Sequence, residues 1–340
     1  MKESLLALAA LGAFAGAASA QSSVTIYGSL DLAVTKGNGG TAANAGANGA
    51  SKAWTEKQSN SSRLGFRGNE DIGGGLSAQF QIEHRLTPDD GGAATPFWAG
   101  RSYVQVSSAT LGRVYLGREY TPAFWPAVKS DPFGWDGVAQ AGGTMWANFV
   151  SPQNVAGVAT MTGVRTSNTV GYRSPSWSGL TVQAAVALGE AVVGRDSGLN
   201  AEYATGPIYA AFGYERISGS GPTTTAADGN SLMNLAFHYD LGVVKPMLYY
   251  ARAKVNVGTG TPSTNKYYQI GLLAPIGGGK LKAAYGRLDP EGDNNNASKL
   301  GLGYDYPLSK RTNVYFDVGY ARQDTKTNNT AYALGVKHTF

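Results

Sequence analysis

Leu76-Ser77-Ala78-Gln79-Phe80-Gln81-Ile82-Glu83-His84-Arg85-Leu86 alternates apolar and polar residues almost without fault. Leu76, Ala78, Phe80, Ile82 and Leu86 take one side, and Ser77, Gln79, Gln81, Glu83 and Arg85 take the other. Successive side chains of a strand point to opposite faces, so a period of two marks a strand with one apolar and one polar face. The same pattern recurs outward in both directions. Towards the N-terminus, Val24, Ile26, Leu30, Leu32 and Val34 oppose Thr25, Tyr27, Ser29 and Asp31. Towards the C-terminus, Met233 to Leu241, Leu300 to Leu308 and Val314 to Tyr320 repeat it, and Tyr332, Leu334, Val336, His338 and Phe340 close the chain. No segment beyond the first twenty residues carries a helical period.

Sixteen such segments are expected, starting near Val24, Ser61, Leu76, Arg101, Arg113, Arg165, Leu180, Gly198, Ile208, Ser231, Val243, Lys266, Lys280, Ala297, Thr312 and Thr330. Their connections alternate in length. Turn-like joints at Asp71–Gly75, Thr110–Gly112, Gly206-Pro207, Asp240–Gly242, Gly277–Gly279 and Ser309–Arg311 alternate with longer polar stretches such as Lys36–Asn60, Thr87–Gly100 and Gly219–Asn230. The longest connection is Thr121–Val164. A rhythm of short turns on one rim and long loops on the other belongs to an up-and-down barrel crossing a bilayer. The bilayer core has no water for unpaired backbone groups, so only a helix or a closed sheet can span it. The predicted fold is all-β: a sixteen-stranded antiparallel transmembrane barrel, apolar outside and polar within.

Composition agrees. The chain has 340 residues with 47 glycines, about twice the ordinary share, only 15% charged residues and no cysteine. Disulfide frameworks and thiol chemistry are thereby excluded. The net charge of +5 is spread along the chain without a basic tail or helix, which argues against a nucleic-acid partner. Met1-Lys2-Glu3, the apolar run Leu5–Ala18 and the small-residue site Ala18-Ser19-Ala20 read as an export signal over residues 1–20. The expected mature unit is one barrel domain over residues 21–340. No nucleophile elbow, zinc helix or phosphate loop is present: Gly277-Gly278-Gly279-Lys280 is followed by Leu281, where a phosphate loop needs a hydroxyl. The three histidines form no metal set. Neither an enzymatic role nor a cofactor is expected.

Four stretches carry a resemblance. Ser23-Val24-Thr25-Ile26-Tyr27-Gly28, then Ser62-Arg63-Leu64-Gly65-Phe66-Arg67-Gly68 with Glu70-Asp71-Ile72-Gly73, Leu116-Gly117-Arg118-Glu119-Tyr120-Thr121-Pro122, and the ending Gly335-Val336-Lys337-His338-Thr339-Phe340 resemble the trimeric general porins of Gram-negative outer membranes, especially the β-proteobacterial ones. The resemblance implies a homotrimer in the outer membrane, with lipid and lipopolysaccharide around it and small hydrophilic solutes and inorganic ions passing through. It also implies a third external loop folded inward to narrow the pore. Thr121–Val164 matches that loop in position and length, and its Asp131-Pro132-Phe133-Gly134-Trp135-Asp136 run resembles the family's loop tip. The terminal Phe340 resembles the signal read by the outer-membrane assembly machinery.

Strand parity nominates the pore wall. With Leu64, Phe66, Val104, Val106, Val170 and Tyr172 facing lipid, Arg63, Arg67, Arg101, Tyr103 and Arg165 face the lumen. Arg63, Arg101 and Arg165 match the arginine cluster of the family's anion-preferring members, and Arg67 and Arg85 extend it. Arg118 falls in phase with Val114 and Leu116, so it reaches the lumen only through a bulge or above the lipid belt. Glu119, Asp131 and Asp136 are the expected loop-side partners. Counted by parity, the inward basic residues are Arg63, Arg67, Arg85, Arg101, Arg165, Lys280, Lys282, Lys299 and Lys337, against Asp31, Glu83, Glu215, Asp305 and Asp317. Fixed positive charge in a narrow aqueous passage between low-dielectric walls concentrates anions. Passive, anion-preferring diffusion is the expected activity. A substrate-specific channel for dicarboxylates, sugars or phosphate is the alternative, kept open by the aromatics Phe97, Trp98 and Trp125. Tyr27, Tyr172, Tyr249, Tyr250, Tyr267 and Tyr268 are candidates for interfacial aromatic girdles.

Overall fold

The computed structural model describes residues 23–42, 51–143, 164–190, 194–218, 229–255, 263–292 and 296–340. The expected export signal and its cleavage site lie outside the described residues. Sixteen long strands form the wall: β1 (Ser23–Gly37), β3 (Ser62–Gly73), β4 (Leu76–Thr87), β6 (Ser102–Ser108), β7 (Gly112–Tyr120), β8 (Arg165–Arg173), β9 (Leu180–Ala187), β10 (Arg195–Thr205), β11 (Ile208–Ser218), β12 (Ser231–Tyr239), β13 (Lys245–Val255), β14 (Ser263–Ile276), β15 (Gly279–Pro290), β16 (Ala297–Pro307), β17 (Thr312–Gln323) and β18 (Asn329–Thr339). Two short segments, β2 (Thr55–Lys57) and β5 (Gly92–Ala93), lie in the first two long connections. Each wall strand pairs antiparallel with its sequence neighbours. The sheet closes on β1, which pairs with β3 through Ser23–Ser29 and with β18 through Ser29–Gly37. Closure leaves the sixteen-strand wall without a free edge among the described residues, as a bilayer requires.

The polarity of the wall is inverted relative to a water-soluble protein. Leu334 is 60% exposed and Val104 53%, whereas Asp31 and Lys299 are 1% exposed and Glu215 and Asn234 fully buried. Outward positions are apolar because they meet lipid; inward ones are polar because they meet water or one another. This inversion is why period two is so plain in the sequence.

The girdle expectation divides along the same parity. Tyr172, Tyr250 and Tyr268 lie on the outward phase, and Tyr172 and Tyr268 are clearly exposed. Tyr249 and Tyr267, one residue removed from their neighbours, are buried on the inner face, and Tyr27 points inward to donate a hydrogen bond to Glu83 at 3.2 Å. A single step along a strand moves a ring from lipid to lumen, which adjacency in sequence does not reveal.

Buried inward groups fasten the loops. The Asp31 carboxylate accepts from the Ser59 and Asn60 backbone N–H groups at 2.8 Å each, from the Asn60 amide at 2.9 Å and from the Tyr315 hydroxyl at 2.8 Å. It joins the first long connection to β1 and β17. Asp31→Ala leaves these donors without an acceptor, and hydrogen bonds to charged groups contribute about 1.5 to 3 kcal/mol each. We expect a loss of about 3 kcal/mol, seen as a lower thermal midpoint by circular dichroism in detergent, with Asp31→Asn intermediate.

Candidate functional site in the barrel lumen

Thr121 leaves β7 and the chain enters a short helix, Phe124–Lys129. The described part of this long connection, residues 121–143, runs against the inward side chains of the wall. Three side-chain amides on alternate strands hold its carbonyls: Asn200 donates to Pro122 at 2.8 Å, Asn234 to Ala123 at 2.7 Å and Gln269 to Ser130 at 2.7 Å. The Ser130 hydroxyl meets His238 Nε2 at 2.9 Å, and Lys129 pairs with Glu202. Further along, Phe133, Ala139 and Ala141 pack with Ala284, and Val138 packs with Ala33, Tyr315, Ala331 and Ala333. Small inward residues on β15 to β18 make room for this backbone. At Gly301 and Gly319 an added Cβ would overlap the carbonyl oxygens of Ala139 and Val138.

The opposite stretch of wall is charged. Arg85 pairs with Glu83 at 2.8 Å and Arg63 approaches the same carboxylate at 3.9 Å. Arg101 Nε donates to both oxygens of Glu119 at 2.8 and 3.0 Å, its Nη2 donates to Glu119 Oε2, and its Nη1 donates to Gln81 at 3.0 Å. The Tyr120 hydroxyl accepts from Arg85 at 3.1 Å and from Arg165 at 2.6 Å, and the Arg165 guanidinium lies 4.3 Å from the Tyr120 ring centre. Tyr120 in turn stacks on Phe124 of the short helix at 4.5 Å. One phenol thus links two arginines of the wall to the loop. Trp125 faces Arg101 at 5.8 Å, and both line a cavity of about 490 Å³ with Arg67, Arg113, Glu119 and Arg173.

Several expected site residues stand elsewhere. Arg118 keeps the outward phase of Val114 and Leu116, donating to the Ala99 carbonyl at 3.2 Å and to Ser167 at 3.0 Å. The register between β7 and β8 shifts at Gly117/Glu119, but the shift does not carry Arg118 into the arginine cluster. Glu119 is the penultimate residue of β7, not a loop residue. Among the described residues Asp131 pairs with no arginine: its carboxylate accepts from the backbone N–H groups of Phe133 and Gly142, both at 2.9 Å. Burial pushes its pKa above the ordinary value, opposed by these hydrogen bonds and by the Lys299 charge. Asp136 accepts from the Ser61 hydroxyl at 2.8 Å. Both acids fasten the loop instead of opposing the arginines; a loop has no periodicity, so their direction could not be read from the sequence. Phe97 and Trp98 enclose His84, with Phe97 stacked at 3.9 Å on its ring. His84 is on the outward phase, so these aromatics do not extend an aromatic track through the lumen.

A closed barrel with this inverted polarity, an internal loop seat and a charged inner wall is an aqueous passage through a lipid layer. Residues 7–326 match the Gram-negative porin family. The chain belongs to that family. It is 34% identical to outer membrane porin protein 32 of Delftia acidovorans, over 99% of this chain and 93% of that one. It is 30% identical to an outer membrane porin protein of Bordetella pertussis, over the full length of both chains. In structure it resembles the anion-selective porin from Comamonas acidovorans, with a TM-score of 0.80 and 27% identity, covering 94% of this chain and all of that one. This porin is an outer-membrane protein that crosses the bilayer repeatedly with its strands.

The porin's wall holds two arginines that the parity count omits. Arg113 and Arg173 lie beside short turns at the ends of β7 and β8, where no long alternation draws attention to them. The phase of Val114, Leu116 and Tyr172 puts both inward, so the signal was available in the sequence. The amide ladder of Asn200, Asn234 and Gln269 had only its inward phase to mark it.

Proposed function

We propose that this porin is a general diffusion channel for small hydrophilic solutes and inorganic ions, with a preference for anions. One observation carries the reading: seven guanidinium groups, Arg63, Arg67, Arg85, Arg101, Arg113, Arg165 and Arg173, share a stretch of inner wall with two carboxylates, Glu83 and Glu119. Residues 121–143 form the other side of the constriction, with Trp125 against the arginines. A fixed positive excess raises the local anion concentration without a tight site. The name of the Comamonas structure supports the same sign of selectivity. Three copies assemble in the membrane beside lipopolysaccharide. The C-terminal strand is offered to the assembly machinery with Phe340 at its end, where Phe340 pairs with the Gly28 backbone at 3.0 and 3.1 Å.

The test is the reversal potential across a potassium chloride gradient in planar bilayers. The wild type is expected to favour chloride, and Arg63→Ala and Arg165→Ala to weaken that preference. Potassium preference in the wild type overturns the anion reading. Saturating block by a sugar at low concentration overturns general diffusion.

A further inference from the structure

Arg113 and Arg173 face each other directly across the β7–β8 ladder. Like charges opposite one another on neighbouring strands destabilise a sheet. Among the described residues no carboxylate lies within ion-pair distance of either guanidinium. Asp71, the nearest acid lining the cleft below the pair, accepts from its own turn's Gly73 N–H at 2.9 Å. The inner face around the pair is rich in donors. The register runs Ser77, Ser107, Arg113, Arg173 and Gln183 across five consecutive wall strands. Below the pair lies a cleft of about 760 Å³ bounded by the short turns at Gly75, Ala109 and Pro175; above it lies the cavity that also holds Arg101. Short turns mark the periplasmic rim of such barrels. The pair therefore stands between the constriction and the periplasmic mouth.

We propose that Arg113 and Arg173 form a binding station for a small, doubly charged oxyanion of the phosphate class. Each guanidinium offers a planar fork of N–H donors suited to two oxygens of one anion. An anion with several oxygens can accept from both forks and from the flanking serine hydroxyls, and its two charges offset the repulsion between the arginines. A halide can offset one charge and engages the forks less completely. The station rests on the channel reading for access to its ligand and adds to it a saturable step below the constriction. Phosphate reaches it from the aqueous lumen, so its occupancy should be weak and sensitive to salt.

Two measurements on the full folded chain, with inorganic phosphate as the probe, test the station. In detergent at pH 8 and equal ionic strength, phosphate is expected to raise the thermal midpoint of the wild type above its value in chloride. Arg173→Gln and Arg113→Gln should each raise the midpoint in chloride, by removing the repulsion, and lose the increment from phosphate. In planar bilayers phosphate should reduce chloride current with saturation. Each variant should raise the half-blocking concentration about tenfold, the consequence of losing one charge-assisted contact. An increment or a block that is absent in the wild type, or unchanged in both variants, overturns the proposal. Arg101→Ala separates the two readings: it should shift the reversal potential and leave the phosphate increment intact. A wild type without anion preference but with a variant-sensitive increment refutes the anion reading of the channel and spares the station.

Discussion

Replacing Gly301 and Gly319 together by valine is expected to lower single-channel conductance and to increase open-channel noise, while the barrel stays folded. The inward faces of β16 and β17 carry no side chain at these positions, and the backbone of Ala139 and Val138 fills the space. A new Cβ would overlap a carbonyl oxygen at each site. The wall is fixed by ladders on both sides, with Gly301 paired to Ala284 and Gly319, and Gly319 paired to Gly301 and Ala331. The loop is held at the same place by small apolar contacts, so the loop gives way. The direction of the displacement follows from the layout. The seat lies on the side of the lumen away from the arginines, and a loop lifted from it moves towards them and narrows the passage. Valine suits a strand and here points into the lumen, so the outward lipid face is untouched. Single-channel recording provides the measurement, with retention of β-sheet circular dichroism as the control. Unchanged conductance and noise would mean that residues 121–143 do not border the passage.

The same glycines show where sequence reading succeeds and where it stops. Lipid imposes one requirement on every strand, an apolar outward face, and that requirement repeats along the whole chain with period two. The expected strand starts accordingly fall within three residues of those observed, from Leu76 and Leu180 without offset to Gly198 and Lys266, where the strands begin at Arg195 and Ser263. The inward face answers to different partners on different sides. On β15 to β18 it must be small, and Gly301, Gly319, Ala331 and Ala333 read in sequence only as low polarity. On β3 to β8 it faces water and carries arginine, which parity does identify. Parity fails where phase is interrupted. At the β7–β8 register shift Gly117 has φ of 134° and Asn168 a φ of 56°, a left-handed geometry rare for any residue but glycine. Past that point Arg165 sits opposite Tyr120 and reaches the cluster through the Tyr120 hydroxyl, a link that alternation alone could not supply. Asp131 and Asp136 lie beyond any periodic segment, and only the three-dimensional path of the loop determines what they touch.

Arg101→Ala and Glu119→Gln are expected to move ion selectivity in opposite directions, and the double variant to return near the wild type. The two side chains form a forked ion pair beside the cavity that Trp125 borders, and Glu119 is 4% exposed. In the wild type much of each charge is offset by its partner. Removing Arg101 deletes a cation and leaves a carboxylate facing the remaining arginines, so the local excess of positive charge falls by one unit and becomes less evenly spread. Neutralising Glu119 adds one unit and weakens the hold on the Arg101 fork, which keeps Gln81 and one amide oxygen at position 119 as neutral acceptors. One unit charge about 4 Å from a permeating ion contributes about 1 kcal/mol in bulk water, or roughly fivefold in local ion concentration, and a few times that energy near a protein surface. The chloride-to-potassium permeability ratio should therefore fall severalfold in Arg101→Ala and rise severalfold in Glu119→Gln. Screening by salt shrinks both effects, so they should be largest in dilute potassium chloride. In the double variant the net charge of the wall equals that of the wild type, and a near-normal ratio is expected if selectivity follows summed charge. If the double variant instead matches Arg101→Ala, the guanidinium acts by its fork geometry and not by its charge, and selectivity at this constriction is a matter of hydrogen bonding more than of potential.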